Sequence, residues 1–184
     1  GPIPEVTPWV LDTLRSFDAK ATFFCVGDNV RKHPEIYDMV IHAGHTVGNH
    51  TLNHLSGWAT ENITYFHNIR HCARMVNSGL FRPPYGKLKP SQVQFLQRHY
   101  RIIMWDVLSG DFDRDIRPED CAQNVIQHAE AGSIVVFHDS IKAEANLRHA
   151  LPMVLEHFTR EGYTFQSLPK LAPAVAERGL RVAV

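Results

Sequence analysis

The chain has 184 residues, a length that suits one compact domain with a full-sized core and is too short for two. Of these residues 44% are hydrophobic and 21% are charged, as is usual for a globular domain. Its 19 Lys and Arg balance its 19 Asp and Glu, so it lacks the concentrated positive charge with which proteins bind nucleic acid. The 3 cysteines, Cys25, Cys72 and Cys121, are odd in number and scattered, which argues against a disulfide framework and against a cysteine-based metal cluster.

Helical and strand patterns alternate from the N-terminus onward. Val10, Leu11 and Leu14 recur at helical spacing after Thr7, which we expect to cap a helix over 7–17. The apolar run 21–26 then predicts a strand buried on both faces. The same patterns predict further helices over 28–43 with a restart at Pro34, 62–76, 90–98, 118–130 and 145–160, and further strands over 45–48, 80–86 with its turn, 102–107, 133–137 and 163–165. This alternation favours a parallel α/β sheet or barrel with the helices outside.

Polar and ionisable residues follow the predicted strands. In parallel α/β folds, chemistry collects at the carboxyl ends of the strands. The residues at those ends are Gly27-Asp28, His50 and His54, 82–86, 106–111, and His138-Asp139. We therefore look for the functional site among these five groups.

His50 and His54 form the first candidate pair. Two neutral imidazoles that converge on one point make half of a divalent-metal site, and a spacing of four places them on one face if the segment is helical. Because the chain has 12 histidines, chance also explains such a spacing. The position after a strand favours the metal interpretation. A metal held by two histidines and a third ligand, with one open position, would promote hydrolysis of an amide or ester.

His138 follows the apolar strand 133–137 and is a candidate general acid; the alternative is a histidine that caps the strand through a backbone hydrogen bond. Either Asp106 or Asp111 could orient its imidazole. Arg82 precedes two prolines that stiffen the backbone, so this turn can hold an arginine and a backbone N–H in fixed positions. The alternative for Arg82 is an ordinary exposed loop.

Three of these motifs together resemble a known family. His50-Thr51-x-x-His54, Arg82-Pro83-Pro84-Tyr85-Gly86 and Val136-x-His138-Asp139 look like the second, third and fifth motifs of the polysaccharide deacetylases of carbohydrate esterase family 4. The segments 21–24 and 44–50 also resemble that family, and the likeness extends from Pro8 to about Leu171.

The resemblance implies a distorted (β/α) barrel with fewer than eight strands that hydrolyses N-acetyl, and sometimes O-acetyl, groups on a glycan. It implies that His50 and His54 bind Zn²⁺, with Co²⁺ or Ni²⁺ as alternatives. It also implies that His138 protonates the departing amine and that Asp111 tunes His138. Arg82 would support the catalytic base, and the Tyr85 backbone N–H would hold the oxyanion.

Two departures from the family pattern stand out. Phe112 lies where the fourth motif usually has Trp, and Val136 replaces the usual Leu; both would line the pocket for the acetyl methyl, so we expect an altered substrate preference. The first motif, Thr-Phe-Asp-Asp-Gly-Pro, supplies the base and a third metal ligand, yet the chain starts at Gly1-Pro2. We therefore expect residues 1–184 to be a single catalytic domain that is N-terminally truncated, with its first strand missing. Residues 180–184 resemble that strand and could fill its place.

The leading hypothesis is a metal-dependent deacetylase that releases acetate from an N-acetylglucosamine-containing polymer such as peptidoglycan or chitin. The alternatives are a catalytically inactive glycan-binding domain of the same fold and an O-acetyl xylan esterase. The expected partner is a glycan and not nucleic acid. No apolar run approaches the roughly 18 residues that span a bilayer, so we expect no transmembrane segment. A location at the cell envelope or outside the cell is implied by the resemblance only.

Overall fold

The computed structural model describes residues 1–173, and seven α-helices, one short 3-10 helix at Pro84–Gly86 and six strands lie within them. The helices are α1 Thr7–Ser16, α2 Gly27–Lys32, α3 Pro34–His42, α4 Asn62–Cys72, α5 Pro90–Leu96, α6 Pro118–Ile126 and α7 Glu144–Arg160. The strands are β1 Thr22–Cys25, β2 Thr46–Asn49, β3 Leu80–Phe81, β4 Arg101–Ile102, β5 Val107–Leu108 and β6 Val135–Val136. In this part of the chain, no helix combines the length and the apolar character needed to cross a membrane.

Prolines set the starts of several helices. Pro34, Pro90 and Pro118 each occupy a first helical position, where the missing N–H costs nothing, and the predicted starts there are confirmed. The prediction that Thr7 caps α1 is wrong, because Thr7 already lies inside the helix. Its hydroxyl instead donates to Asp139 Oδ2 at 2.8 Å and accepts the Ile3 N–H at 2.9 Å, which ties the start of α1 to the residue after His138.

The strands form two separate parallel sheets. β1, β2, β3 and β4 pair in that order, and β5 pairs with β6. The single predicted strand 102–107 is therefore wrong. The Ile103 N–H still donates to the Phe81 carbonyl in the first sheet, whereas Asp106 N–H donates to the Ile134 carbonyl in the second. The chain changes its pairing partner in the few residues between them.

The predicted strand 163–165 is also wrong, because no strand is formed there in the structure. Phe165 packs against the core, and its carbonyl accepts a single backbone hydrogen bond, from Lys20 N–H at 3.0 Å. The following residues are held by side chains of the first sheet, because Thr46 Oγ1 donates to the Leu168 carbonyl at 2.8 Å and the Leu168 N–H donates to Thr22 Oγ1 at 2.9 Å. Residues 180–184, which we expected to fill the place of a first strand, lie outside the described residues.

Helix α7 joins the two halves of the core. One of its faces packs Leu147, Leu151 and Leu155 against the apolar face of α1. Another packs Ala150 and Val154 against α6 and β5. All 3 cysteines are buried free thiols, as expected from their apolar surroundings. Burial raises the pKa of Cys72 to about 11, which keeps this thiol protonated and unreactive at neutral pH.

Buried His45 predicts a loss of stability in mild acid. Burial lowers its pKa to about 4, and its Nδ1 accepts the Ala21 N–H, so protonation would also break that hydrogen bond. Between pH 6.5 and 4 the unfolded chain binds a proton here that the folded chain excludes, so this contribution to stability falls as the pH falls. We expect a loss of up to about 3 kcal/mol in the free energy of unfolding over that interval.

Urea denaturation at several pH values checks this expectation. His45→Asn keeps an acceptor for the Ala21 N–H without a titrating ring, so its stability should depend less on pH than that of the wild type. His42→Asn, which changes an exposed imidazole nearby, is the control. Identical pH dependence in the wild type and His45→Asn would contradict the assignment.

Candidate active site

His50 and His54 come together in the loop that follows β2. Their ring centroids lie 4.9 Å apart, with the rings nearly perpendicular at 70°. The segment is not helical, so the helical explanation for the spacing is wrong. Thr51 and His54 instead adopt the left-handed backbone conformation, with φ of 64° and 56°, and these two bends fold the loop back so that the imidazoles meet.

Asparagine side chains hold this unusual loop. The buried Asn49 Oδ1 accepts the Thr51 N–H at 2.9 Å, and Asn68 Oδ1 on α4 accepts the N–H groups of Leu52 and Asn53 at 2.7 and 3.2 Å. A β-branched residue such as Thr51 is rare in the left-handed region, and such a conformation costs about 1–3 kcal/mol. The surrounding hydrogen bonds offset that cost, so the loop holds one conformation.

Both imidazoles are neutral at pH 7. Burial, with the neighbouring His54 as a second cause, lowers the pKa of His50 to about 3, and burial likewise lowers the pKa of His54. His50 Nδ1 lies 2.6 Å from the Arg82 carbonyl oxygen, which can only accept, so Nδ1 carries the hydrogen. His50 Nε2 therefore keeps a free lone pair, the state in which a histidine binds a metal.

Two nitrogen donors suit a divalent ion but do not complete its site. Catalytic zinc is held by three protein ligands and one exchangeable position. Within residues 1–173, no third His, Cys, Asp or Glu joins the pair to form such a group. The two histidines thus have the right chemistry for a divalent ion, but the described residues supply one ligand fewer than a catalytic zinc site uses.

Tyr85 lies directly beside the histidine pair. Its ring contacts His54 edge to face, with the centroids 4.8 Å apart, and its backbone is left-handed at φ 60°. The next residue, Gly86, is also left-handed, and a Cβ there would lie 2.6 Å from the Trp105 ring, so only glycine fits. Within the described chain the Tyr85 backbone N–H donates to no protein acceptor, which leaves a donor free next to the pair.

Arg82 is held in place rather than free in solvent. Its guanidinium lies 4.2 Å from the centroid of the Phe24 ring and donates to the Ile103 and Met104 carbonyls at 3.4 and 3.0 Å. Burial lowers its pKa to about 10, so it remains protonated at neutral pH. Across residues 1–173 it forms no ion pair with a carboxylate. Arg82 thus bridges the turn after β3 to the segment where the chain changes sheet.

His138 is oriented by Asp111, the second of the two candidate aspartates. Asp111 is fully buried, and its two oxygens lie 2.7 Å from His138 Nδ1 and 2.7 Å from the His138 backbone N–H. Asp106 instead accepts the Ile134 N–H at 2.8 Å. The Phe112 ring meets His138 edge to face at 5.2 Å, and Val136 lies buried in β6 two residues before His138. This side of the site thus combines an oriented imidazole with apolar neighbours.

Gly1 connects the two sides of the site, because its N lies 3.1 Å from Asp139 Oδ1 and its carbonyl accepts the Val26 N–H at 3.1 Å just after β1. Burial is the chief cause of the lowered pKa of His54, and the nearby N-terminal ammonium of Gly1 lowers it further. The structure therefore brings together the predicted residues from both sheets. Sequence reasoning missed the residues that hold them, above all Asn68 on α4 and Asn146 on α7, which donates to the Asp111 and Asp113 carbonyls. An asparagine on a helix carries no sequence signal for such a role.

Comparison with known proteins supports one family. The polysaccharide deacetylase family model matches residues 1–100. A peptidoglycan-N-acetylglucosamine deacetylase of Bacillus cereus is 30% identical, over 93% of this chain and 84% of the relative. A chitooligosaccharide deacetylase of Azorhizobium caulinodans is 29% identical, over 92% and 89%.

A solved structure extends the likeness to the fold. The crystal structure of the Bc1960 peptidoglycan N-acetylglucosamine deacetylase matches with a TM-score of 0.86 at 27% identity, over 92% of this chain and 82% of that one. This likeness and the parallel sheets of the present structure fit a distorted barrel fold. The chain belongs to the polysaccharide deacetylase family.

Proposed function

We propose that this chain hydrolyses N-acetyl groups on an N-acetylglucosamine-containing glycan and releases acetate. The names of the relatives support this substrate class. The observation that carries the proposal is the His138 imidazole held by Asp111 at 2.7 Å, which lies, like the neutral His50–His54 pair, directly after a parallel strand. An oriented imidazole together with a metal-binding pair can supply the general acid and the Lewis acid for amide hydrolysis.

His50 and His54 hold a divalent metal in this proposal, most readily Zn²⁺, with Co²⁺ or Ni²⁺ as alternatives. When bound, the metal polarises the acetyl carbonyl and lowers the pKa of a water molecule. The free Tyr85 N–H donates to the oxygen on which negative charge develops. Its position next to His54 supports this role.

His138 serves as the general acid. Asp111 fixes the hydrogen on Nδ1, so Nε2 is the nitrogen that carries and releases the catalytic proton. When the acetyl C–N bond breaks, the amine leaves with that proton and acetate remains. Phe112 and Val136 shape the apolar wall for the acetyl methyl. Arg82 positions the turn that carries Tyr85 and supports the catalytic base.

In this proposal the catalytic base and the third metal ligand come from a strand ahead of Gly1. Residues 1–184 then make up most of a single barrel domain with fewer than eight strands. β1 is an edge strand of the first sheet within residues 1–173. The Gly1 carbonyl accepts the Val26 N–H at 3.1 Å, and Gly1 N lies 3.1 Å from Asp139 Oδ1. A strand ahead of Gly1 would thus run along β1 and bring its carboxylates to the site.

Acetate release from tetra-N-acetylchitotetraose and from peptidoglycan tests the proposal, with added Zn²⁺ or Co²⁺. We expect release by a chain that includes the residues ahead of Gly1, and a rate lower by roughly two to four orders of magnitude without the base. The described residues supply only two metal ligands, and this favours one second candidate function, a glycan-binding domain without activity. Saccharide binding without acetate release from either chain would establish that candidate, and release from acetylated xylan alone would indicate an esterase.

A further inference from the structure

The loop that follows β5 carries Asp111, and its backbone is held by a side chain from a later helix. Asn146 lies in the first turn of α7 and is buried. Its amide Nδ2 donates to the Asp111 carbonyl at 3.2 Å and to the Asp113 carbonyl at 2.8 Å. An amide nitrogen carries two hydrogens, so both are used on this loop. Asn146 thus spans the backbone on either side of Phe112.

The chain that follows β6 binds Asp111 in two ways. The Asp111 carboxylate accepts the Nδ1–H and the backbone N–H of His138, and its main-chain carbonyl accepts from Asn146. Tight turns connect these two partners, since the Ser140 N–H donates to the His138 carbonyl at 2.9 Å and the Ala143 N–H donates to the Ser140 carbonyl at 3.1 Å. The segment that presents the imidazole therefore also fixes the backbone from which the Asp111 carboxylate extends.

The start of α7 is itself anchored, because Leu147 is 1% exposed and packs in the core beside α1. The loop has no comparable main-chain anchor of its own. Within the described chain, the other main-chain hydrogen bonds of residues 111–113 stay inside the loop, to Ser109 Oγ at 3.3 Å and to the Gly110 carbonyl at 2.9 Å. The two hydrogen bonds from Asn146 are thus the ones that tie this backbone to a helix.

We propose that Asn146 is a positioning residue for the general acid. By fixing the backbone of residues 111–113, it keeps the Asp111 carboxylate on His138 Nδ1 and so selects the tautomer of the imidazole. This inference deepens the proposed function and rests on it, because it assigns a role within the same site. The hydrogen bond that one ring nitrogen makes decides which nitrogen carries the hydrogen. Without Asn146, the neutral ring carries its hydrogen on either nitrogen and no longer aims Nε2 at one place.

Nuclear magnetic resonance of protein with ¹⁵N-labelled histidine gives the first readout. The chemical shifts of the ring nitrogens report which one carries the hydrogen at alkaline pH, and neither metal nor turnover is needed. The His138 signals are those absent from the spectrum of His138→Ala. The wild type should show the hydrogen on Nδ1. Asn146→Leu, which keeps nearly the same side-chain volume but has no donor, should show a mixture of both tautomers.

Kinetics give the second readout, in the chain that includes the residues ahead of Gly1. Asn146→Leu should lower kcat for acetate release by roughly tenfold to a hundredfold and leave KM unchanged. Asn146→Gln keeps the amide and should restore most of the rate and the hydrogen on Nδ1. Asn146→Ala removes the amide without placing an apolar branch against the carbonyls, so it should show the same mixture of tautomers as Asn146→Leu even where that variant folds poorly.

Asn124→Leu is the matched control. Asn124 on α6 donates to the Ser109 carbonyl at 3.1 Å in the same loop, but Ser109 is also held by its own N–H, which donates to the Val136 carbonyl at 3.2 Å. This variant should keep the wild-type tautomer. A hydrogen that stays on Nδ1 in Asn146→Leu and Asn146→Ala would overturn the proposal, as would an equal mixture in Asn124→Leu. A mixture confined to the Asn146 variants, with no acetate release from any chain, would support the role of Asn146 and reject the deacetylase proposal.

Discussion

Asp111→Asn is expected to lower kcat for acetate release by roughly two to four orders of magnitude while the fold and metal content are retained. The carboxylate accepts from both the side chain and the backbone of His138. An amide can accept only one of those hydrogen bonds and presents an N–H to the other donor. The imidazole then loses the tautomer in which Nε2 carries the catalytic proton.

Single-turnover rates, metal content and urea denaturation together check this expectation. Because Asp111 is fully buried, an added stability loss of about 1–3 kcal/mol is expected. His138→Ala should lose a similar factor in rate and keep the metal. Asp106→Asn is the control, since Asp106 caps the Ile134 N–H instead of contacting His138. Unchanged kcat in Asp111→Asn and His138→Ala would remove the pair from the mechanism.

His50→Ala and His54→Ala are each expected to weaken Zn²⁺ binding by more than the roughly 10–100-fold that loss of an outer hydrogen bond costs. Each change removes one of the two nitrogen donors that the described residues supply. The chain offers a close control in His67 and His71 on α4, which have the same spacing of four but rings 6.5 Å apart.

Calorimetric titration with Zn²⁺ and elemental analysis of the purified protein give the readout. His67→Ala and His71→Ala should bind Zn²⁺ like the wild type. If these controls lost as much metal as the His50 and His54 variants, surface histidines would account for the binding. The assignment of the site would then be wrong.

The sequence predicts the elements that carry strong local signals. Proline gives the starts of α3, α5 and α6 because its fixed φ suits the first turn of a helix and its missing N–H costs no hydrogen bond there. The family is confirmed as well, since its motifs depend on residue types at fixed spacing. The roles of the site residues stay proposals, although the structure brings His138 and Asp111 into contact.

Features set by tertiary contacts could not be predicted in the same way. The chain changes sheets in the few residues after β4, but residues 102–105 are all apolar and only Asp106 separates them from Val107, so 102–107 resembles one strand. The left-handed backbone at Thr51 could not be predicted from the sequence, because threonine normally disfavours this conformation.

The strained loop at Thr51 and His54 implies a trade-off between robustness and precision. The loop stores conformational energy that the rest of the fold must supply, so Thr51→Gly would relax the backbone and release part of that energy while both imidazoles stay present. The same change would widen the range of imidazole orientations and blur the geometry of the pair. Selection for heat resistance and selection for catalytic rate would therefore favour different residues at position 51.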